Sequence, residues 1–468
     1  MEKYFELKKN GTSIKQELIA AFVTFCSMVY ILIVIANMYT NPLGNGENPL
    51  GIPFGAIYVG IALSAVVGCI LMGLIAKLPI AFASGLGLNA FFIYTVCLSL
   101  GFSYENSLVI ILAEGLIFLI LTLTGGIKKI YESIPDNIRF AISAGIGLFI
   151  AYLGLLNSGI IVAHKSTGLA LNSFNILHTP LEQFFPALVS IFSLFVIAVL
   201  SKRKIKGAIF WGIFSGVILY YISILFLPNL NQNINIETIN PIISFKEFFE
   251  YSFCKVFTSG LDFSNYIAKY GFENFLINII TTTISFCLVN IFDNIGSLQA
   301  VCVYGNMLKD NEIPNFNKAM TASSIATIAG SAIGVSTIST YVESATGVGE
   351  GGRTGLTAVF VGIFFFFAAF FSPIAQFVPV CATSSVLIFI GSLMVSAVKN
   401  IDWNSIEKTL PAFLTICMMP FTCNISNGIA FGLISYVIIK AFTGKIKEIK
   451  ITTWIIVLLF LTMLLLSH

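Results

Sequence analysis

Three acidic side chains stand inside stretches that are otherwise apolar: Glu114 in LAEGLIF, Asp293 in NIFDNIGSL and Glu343 in STYVESATG. An ionisable group in a lipid-embedded segment is costly, and by default it marks a binding or proton-handling site. Asp293 and Glu343 come from separate polar-rich segments, which points to one shared cavity. Glu114 sits in an ordinary apolar run and divides evenly between packing and proton handling. Asn290, one helical turn before Asp293, either faces the same cavity or glues two helices together. Carboxylates accept N–H donors, Asn both donates and accepts, and Phe91, Phe92, Phe292 and Tyr341 offer flat faces. Such a set suits a small, planar, neutral heterocycle with mixed donor and acceptor edges. Two acids with no Lys or Arg at that depth argue against a free anion. Burial favours the neutral form of a carboxyl, so one acid of the pair can carry a proton across with the substrate. Glu350 and Arg353, three apart in GEGGRTG, read as a local ion pair or cap rather than as ligands.

The elements that must hold these groups are transmembrane helices. The chain has 468 residues, 57% hydrophobic and only 10% charged, against about 25% charged in soluble domains. Its mean hydropathy is +0.93. A soluble enzyme, a nucleic-acid binder and a secreted disulfide protein are excluded. Nine scattered cysteines lack any C-x-x-C spacing and read as buried and inert, and the three histidines form no metal cluster. The polar N-terminus shows no cleavable signal peptide. Apolar runs fall near 17–37, 55–76, 79–99, 105–125, 137–157, 182–200, 206–227, 274–302, 319–337, 338–350, 354–372, 374–398, 408–421, 426–443 and 452–467. With the N-terminus inside, 21 of the 25 Lys and Arg fall on the inner side, leaving Lys165, Lys246, Lys255 and Lys269 outside, as the positive-inside bias requires. The run 126–136 reads as an inner amphipathic connector, and the outer connection 228–273 leaves room for a short surface helix.

Two segments are broken. LPIAFASGLGLN, ending at Asn89, echoes STYVESATGVG at 339–349; an offset of 260 superposes Ser84 on Ser344 and Gly87 on Gly347. In each, a short extended run (Pro79–Ser84; Ser339–Val342) precedes a glycine-rich half-helix whose free N–H groups aim at the cavity. Asn89 takes the place in the first repeat that Glu343 takes in the second. A second echo joins 207–222 to 428–442. Seven spans on either side of the long outer connection make the halves inverted, a transporter pattern with its site at mid-membrane.

The strings GLGLNAFFIYTV (85–96), FDNIGSL (292–298), TYVESATGVGEGGRTGLTA (340–358) and LPAFLTICMMPFT (410–422) resemble the AzgA-like purine permeases of the nucleobase–cation symporter family 2, along nearly the whole chain. The resemblance implies an all-α polytopic membrane protein of about fourteen spans in seven-plus-seven inverted repeats, with spans 3 and 10 broken. Residues 1–130 (spans 1–4) and 274–372 (spans 8–11) would form a core domain. Residues 131–230 (spans 5–7) and 373–468 (spans 12–14 and a C-terminal apolar segment) would form a gate domain, with 231–273 an extracellular loop. It implies proton-coupled, elevator-type uptake of hypoxanthine, guanine or adenine through a bacterial cytoplasmic membrane, a homodimer, no enzyme activity and no cofactor beyond the coupling proton. Motif by motif, Asp293, Glu343 and Asn89 take the site positions. The family commonly carries a second Asp where this chain has Asn290. On this reading Glu343 and Asp293 bind ring N–H groups and one of them couples the proton, Asn89 reads the base edge, and the backbone of Val342 and Ser344 completes the clamp beside Tyr341. A uracil or xanthine symporter shares the fold. An anion transporter of similar architecture would carry a basic residue at 343, and an intramembrane hydrolase would need a nucleophile or metal motif that this chain lacks.

Overall fold

The computed structural model describes residues 2–44, 46–164, 167–175, 179–205, 207–224, 240–308 and 312–466. Lys165 and the start of the outer connection, through 239, lie outside the described residues. Lipid offers a backbone no hydrogen bonds, so apolar runs must close their bonds internally as helices. The first half contains span 1 (Ile14–Thr40), span 2 (Phe54–Ala76), the helix of span 3 (Leu86–Ser99), span 4 (Tyr104–Leu123), span 5 (Asp136–Asn157), span 6 (Leu181–Lys202) and span 7 (Ala208–Ile224). The second contains span 8 (Phe272–Tyr304), span 9 (Phe316–Ile333), the half-helix of span 10 (Ser344–Gly349), span 11 (Gly355–Ala375), span 12 (Val380–Asn400), span 13 (Ile406–Phe421) and span 14 (Ile425–Phe442). A last apolar helix, Ile451–Leu466, packs on spans 14 and 8. The inner connector is a helix over Gly126–Ser133. Among its described residues the connection between spans 7 and 8 is helical well beyond the one short helix expected, with α-helices at Pro241–Glu247 and Ser264–Tyr270 and shorter helical turns between them. Span 12 starts at Val380 rather than at 374, because Ser372–Ala375 still belongs to span 11 and Pro379 caps the next helix.

Two sets of helices result. Span 9 packs on spans 4 and 2, span 11 on spans 2 and 1, span 8 on span 4, and the span 10 half-helix on span 1. Separately, span 12 packs on spans 5 and 6, span 13 on spans 5 and 14, and span 7 on span 6. Each half of the chain therefore contributes to both sets, as an intertwined inverted repeat requires.

Four short strands occur among the described residues: β1 (Phe82–Ser84), β2 (Ile161–His164), β3 (Gly168–Leu171) and β4 (Ile338–Thr340). β2 and β3 form a hairpin in the connection between spans 5 and 6, where the sequence marks no strand. β1 and β4 belong to the two broken spans and pair antiparallel, Phe82 with Thr340, Ala83 with Ser339 and Ser84 with Ile338. Flanking bonds lengthen the ribbon: Tyr341 N–H donates to Ala81 O at 3.2 Å and Gly85 N–H to Thr337 O at 3.0 Å.

A two-stranded ribbon leaves two outer edges, and side chains close both. On β1, Phe82 N–H donates to Cys69 Sγ at 3.3 Å, and the Cys69 thiol donates to Phe82 O at 3.2 Å. On β4, Ile338 N–H donates to the Thr327 hydroxyl and that hydroxyl donates to Ile338 O, both at 3.3 Å. Cys69 lies in span 2 and Thr327 in span 9, the corresponding spans of the two repeats. Glycine lets the helices come this close. A Cβ on Gly68 would stand 2.8 Å from the Phe82 Cβ, and one on Gly330 2.9 Å from Ile338 Cδ1. Cys69 is thus buried, as expected of the cysteines, but it has a structural role that no spacing announces.

Replacing Thr327 by the isosteric Val leaves the Ile338 N–H without its acceptor, while Ile338 O keeps the Ser323 hydroxyl at 3.2 Å. We expect thermal unfolding in detergent to show a loss of ~1–3 kcal/mol for the buried N–H left unpaired. Cys69→Ser, which keeps a donor and an acceptor, should be tolerated better than Cys69→Val.

Candidate functional site

β4 ends at Thr340, and the chain turns before the half-helix starts. Ser344 N–H donates to Tyr341 O at 3.1 Å, Ala345 N–H to Val342 O at 2.9 Å and Thr346 N–H to Glu343 O at 3.0 Å. Glu343 is the N-cap residue of that half-helix. Its Oε1 accepts the Tyr30 hydroxyl of span 1 at 2.8 Å. Asp293 arrives from span 8. Its carboxyl lies against Ser339 and within range of the Glu343 charge, and Tyr341 lies within range of both acids. The two carboxylates are thus delivered by different segments to one place. Both are half-buried, whereas Tyr30, Tyr341 and Ser339 around them are buried. The Ser339 hydroxyl makes no well-formed hydrogen bond, and the Val342 N–H donates to no acceptor among the described residues.

Several expected ligands are occupied by the fold itself. Asn89 is completely buried; its amide donates to Ser84 Oγ at 2.8 Å and Gly85 O at 2.7 Å, and its Oδ1 accepts the Tyr39 hydroxyl at 2.9 Å. Both amide hydrogens are used, so Asn89 holds the first broken segment together and does not present a donor edge. It also does not match Glu343 in the repeat. The span 3 helix starts after Gly85, which places Asn89 a full turn inside it, while Glu343 stands at the start of its own half-helix. Ser344 uses its N–H on Tyr341 and its hydroxyl on Ala81 N–H at 2.9 Å, so it clamps the two broken segments to each other. The Tyr341 hydroxyl donates to Ser84 O at 2.6 Å, leaving only its ring toward the acids. Asn290 turns away from Asp293 and donates to Glu114 of span 4 at 2.9 Å, the polar-glue alternative. Phe91 and Phe92 are buried against Phe286, at 4.5 Å between ring centroids, and Tyr39, at 5.7 Å, and offer no open face. Phe292 is half-buried and touches Tyr131. Arg353 caps the end of the half-helix, donating to Val348 O at 2.7 Å and Gly352 O at 2.9 Å.

Two further residues have roles that the sequence does not announce. Tyr30 gives no signal beyond a polar tip in an apolar run. Glu17, near the start of span 1, reads as an ordinary first-turn acid, yet it is completely buried. It accepts Arg353 N–H at 3.0 Å, Thr354 N–H at 3.4 Å, Thr357 N–H at 3.1 Å and the Thr357 hydroxyl at 2.5 Å. One carboxylate from span 1 thereby takes the N–H groups of the two residues before span 11 and one from its first turn, Thr357. The small buried residues on its helical face, Ala20, Ala21 and Thr24, are the available sign that this face is packed.

Residues 15–431 match the family Xan_ur_permease, described as a permease family. The chain is similar to the guanine/hypoxanthine permease PbuO of Bacillus subtilis, 35% identical and covering 97% of this chain and 98% of the relative. It is similar to the adenine permease AdeQ of Escherichia coli, 34% identical over 98% of this chain and 95% of the relative. Among solved structures it is similar in fold to the transmembrane domain of a cyanobacterium bicarbonate transporter, BicA. That likeness has a TM-score of 0.57 at 13% identity, over 88% of this chain and 97% of the other.

Glu17→Ala should lower the unfolding free energy by ~3 kcal/mol or more, because it removes a charged acceptor from several buried donors at once. Thermal unfolding in detergent would measure this, with Glu17→Gln expected to fall between the two.

Proposed function

The chain belongs to the permease family, and we propose that it takes up purine nucleobases together with a proton across a bacterial cytoplasmic membrane. Guanine, hypoxanthine and adenine are the bases in its relatives' names. The N-terminus lies on the cytoplasmic side, in keeping with the distribution of Lys and Arg. The observation that carries the reading is the meeting of Asp293 and Glu343, two half-buried acids from separate segments, beside polar groups that the fold leaves unused.

In this reading each acid accepts a ring N–H of the base. The free Val342 N–H donates to a carbonyl or ring nitrogen, and Phe292 and the Tyr341 ring supply flat contacts. Tyr30 occupies one oxygen of Glu343 and turns the other toward the ligand. Asn89, Ser344 and Asn290 act from behind, as supports. One of the two acids carries the proton, which relieves the repulsion between neighbouring carboxylates while the site crosses. At roughly 2.3 kcal/mol per charge per 100 mV, one proton sustains an accumulation of about 50-fold at ~100 mV. Spans 1–4 and 8–11 carry the site and move as a body against spans 5–7 and 12–14, in the manner of an elevator. Anion transport on the same fold is disfavoured, because the described residues of the site hold two acids and no Lys or Arg.

Radiolabelled hypoxanthine uptake into cells, with unlabelled adenine, guanine, hypoxanthine and uracil as competitors at two external pH values, tests the reading. Purines should compete, uptake should rise at the lower pH, and a protonophore should collapse it. Uracil outcompeting every purine would transfer the chain to the pyrimidine reading. Glu343→Ala should abolish uptake while the protein still reaches the membrane; undiminished uptake by that variant refutes the site. Tyr30→Phe should raise KM by about tenfold, the loss of one hydrogen bond to a charged group.

A further inference from the structure

Glu114 is a completely buried acid that the proposed cycle does not use. Its Oε1 accepts the Asn290 amide at 2.9 Å and its Oε2 the Thr337 hydroxyl at 3.4 Å. Behind Asn290 the bonds continue. Asn290 Oδ1 accepts the Asn294 amide at 2.5 Å, and Asn294 Oδ1 accepts Thr340 N–H at 3.1 Å. The Thr340 hydroxyl returns a bond to Asn294 O at 3.4 Å. Every donor in the chain Thr340, Asn294, Asn290 points the same way, and the chain stops at Glu114.

The placement matters because of what the two threonines flank. Thr337 stands just before β4 and Thr340 is its last residue. Glu114 thus holds both ends of the strand from span 4, once directly and once through two asparagines of span 8. Tyr341 follows Thr340 immediately, and Glu343 comes two residues later. Asp293 lies on span 8 between the two asparagines in sequence, so the same chain fixes the helix that carries the second acid.

We infer that Glu114 is a positioning residue, the terminal acceptor of a one-way amide chain that sets β4, and with it Glu343, against Asp293. This rests on the substrate reading given above. What the chain needs at position 114 is an oxygen that accepts, not a charge. Asparagine amides lined up in one direction must end on a group with spare lone pairs, and the carboxyl supplies two accepting oxygens. The titratable neighbour that Glu114 meets is Cys287 of span 8. Asp293 and Glu343 are half-buried, while Glu114 is sealed, so the proton of the proposed cycle is assigned to those two and not to Glu114.

Glu114→Gln keeps an acceptor for Asn290 and puts an N–H opposite Thr337, whose hydroxyl can accept it in place of donating. It should therefore keep the wild-type pH profile of hypoxanthine uptake, with KM within about threefold. Glu114→Ala should raise KM by about tenfold or more at equal protein in the membrane. Adding Asn290→Ala to Glu114→Ala should cost little further, because both substitutions cut one chain. A Glu114→Gln variant that loses uptake, or whose uptake no longer responds to pH, overturns the inference, as does a Glu114→Ala variant equal to wild type. Should the wild-type chain carry no purine, the substrate reading falls, and thermal midpoints in detergent still decide the chain. Glu114→Gln should then match wild type and Glu114→Ala fall below it, with equal midpoints overturning it.

Discussion

A peptide group at mid-membrane depth must find its hydrogen-bond partners inside the protein, and the two broken spans satisfy that constraint with each other. β1 and β4 are only three residues each. Neither could persist alone, since every N–H and C=O along an unpaired extended segment would cost several kcal/mol in the absence of water. Pairing closes the inner edges. The outer edges are closed by side chains, Cys69 on β1 and Thr327, Ser323 and Asn294 on β4. Each half of the chain thus supplies one strand and the caps of its edge, and the centre of the molecule cannot form until both halves are in place.

That arrangement sorts the polar residues of the membrane interior into two classes. Asn89, Ser344, Asn294 and the Tyr341 hydroxyl use their bonding capacity on the broken segments and hold them in register. Asp293, the second oxygen of Glu343, the Val342 N–H and the Ser339 hydroxyl are left over. A ligand pocket is expected to consist of such remainders: mostly apolar walls with a few convergent polar groups that fold stability does not consume. The same logic explains why the glycines flanking the half-helices are not simply flexible. A Cβ on Gly347 would stand 2.5 Å from Ala20 O of span 1, so its absence lets the half-helix dock.

The fold was largely legible because lipid imposes a strong and local code. Apolar runs of span length, their broken members and the bias of Lys and Arg are all properties of contiguous sequence. Asp293 and Glu343 are conspicuous in their apolar surroundings for the same reason. What could not be read depends on partners far away in the chain. Tyr30 meets Glu343 across 313 residues, and Glu17 meets Thr357 across 340. The β2–β3 hairpin is built from mostly apolar runs of four residues each, too short to register against the span-length pattern. Asn89 was recognised as important but misjudged in role, because residue type says nothing of whether an amide's donors are already taken.

Asn290 and Asp293 show how far spacing can mislead. Three residues apart on a helix, they are offset by about 60° around the axis, close enough to suggest one target. Span 8 is packed on span 4 on one side and meets the β4 segment on the other, so that small offset is enough to divide them. Asn290 falls toward Glu114 and Asp293 toward Ser339. An amide suits the first place, since it can donate to Glu114 while accepting from Asn294, whereas a carboxylate there would set two acids against each other and leave the chain without its donor. The acid suits the second, where unused donors on a ligand can meet it. One helical turn therefore carries an amide bound into the fold and an acid that the fold leaves half-buried, and the difference between them lies in the neighbours that tertiary packing assigns.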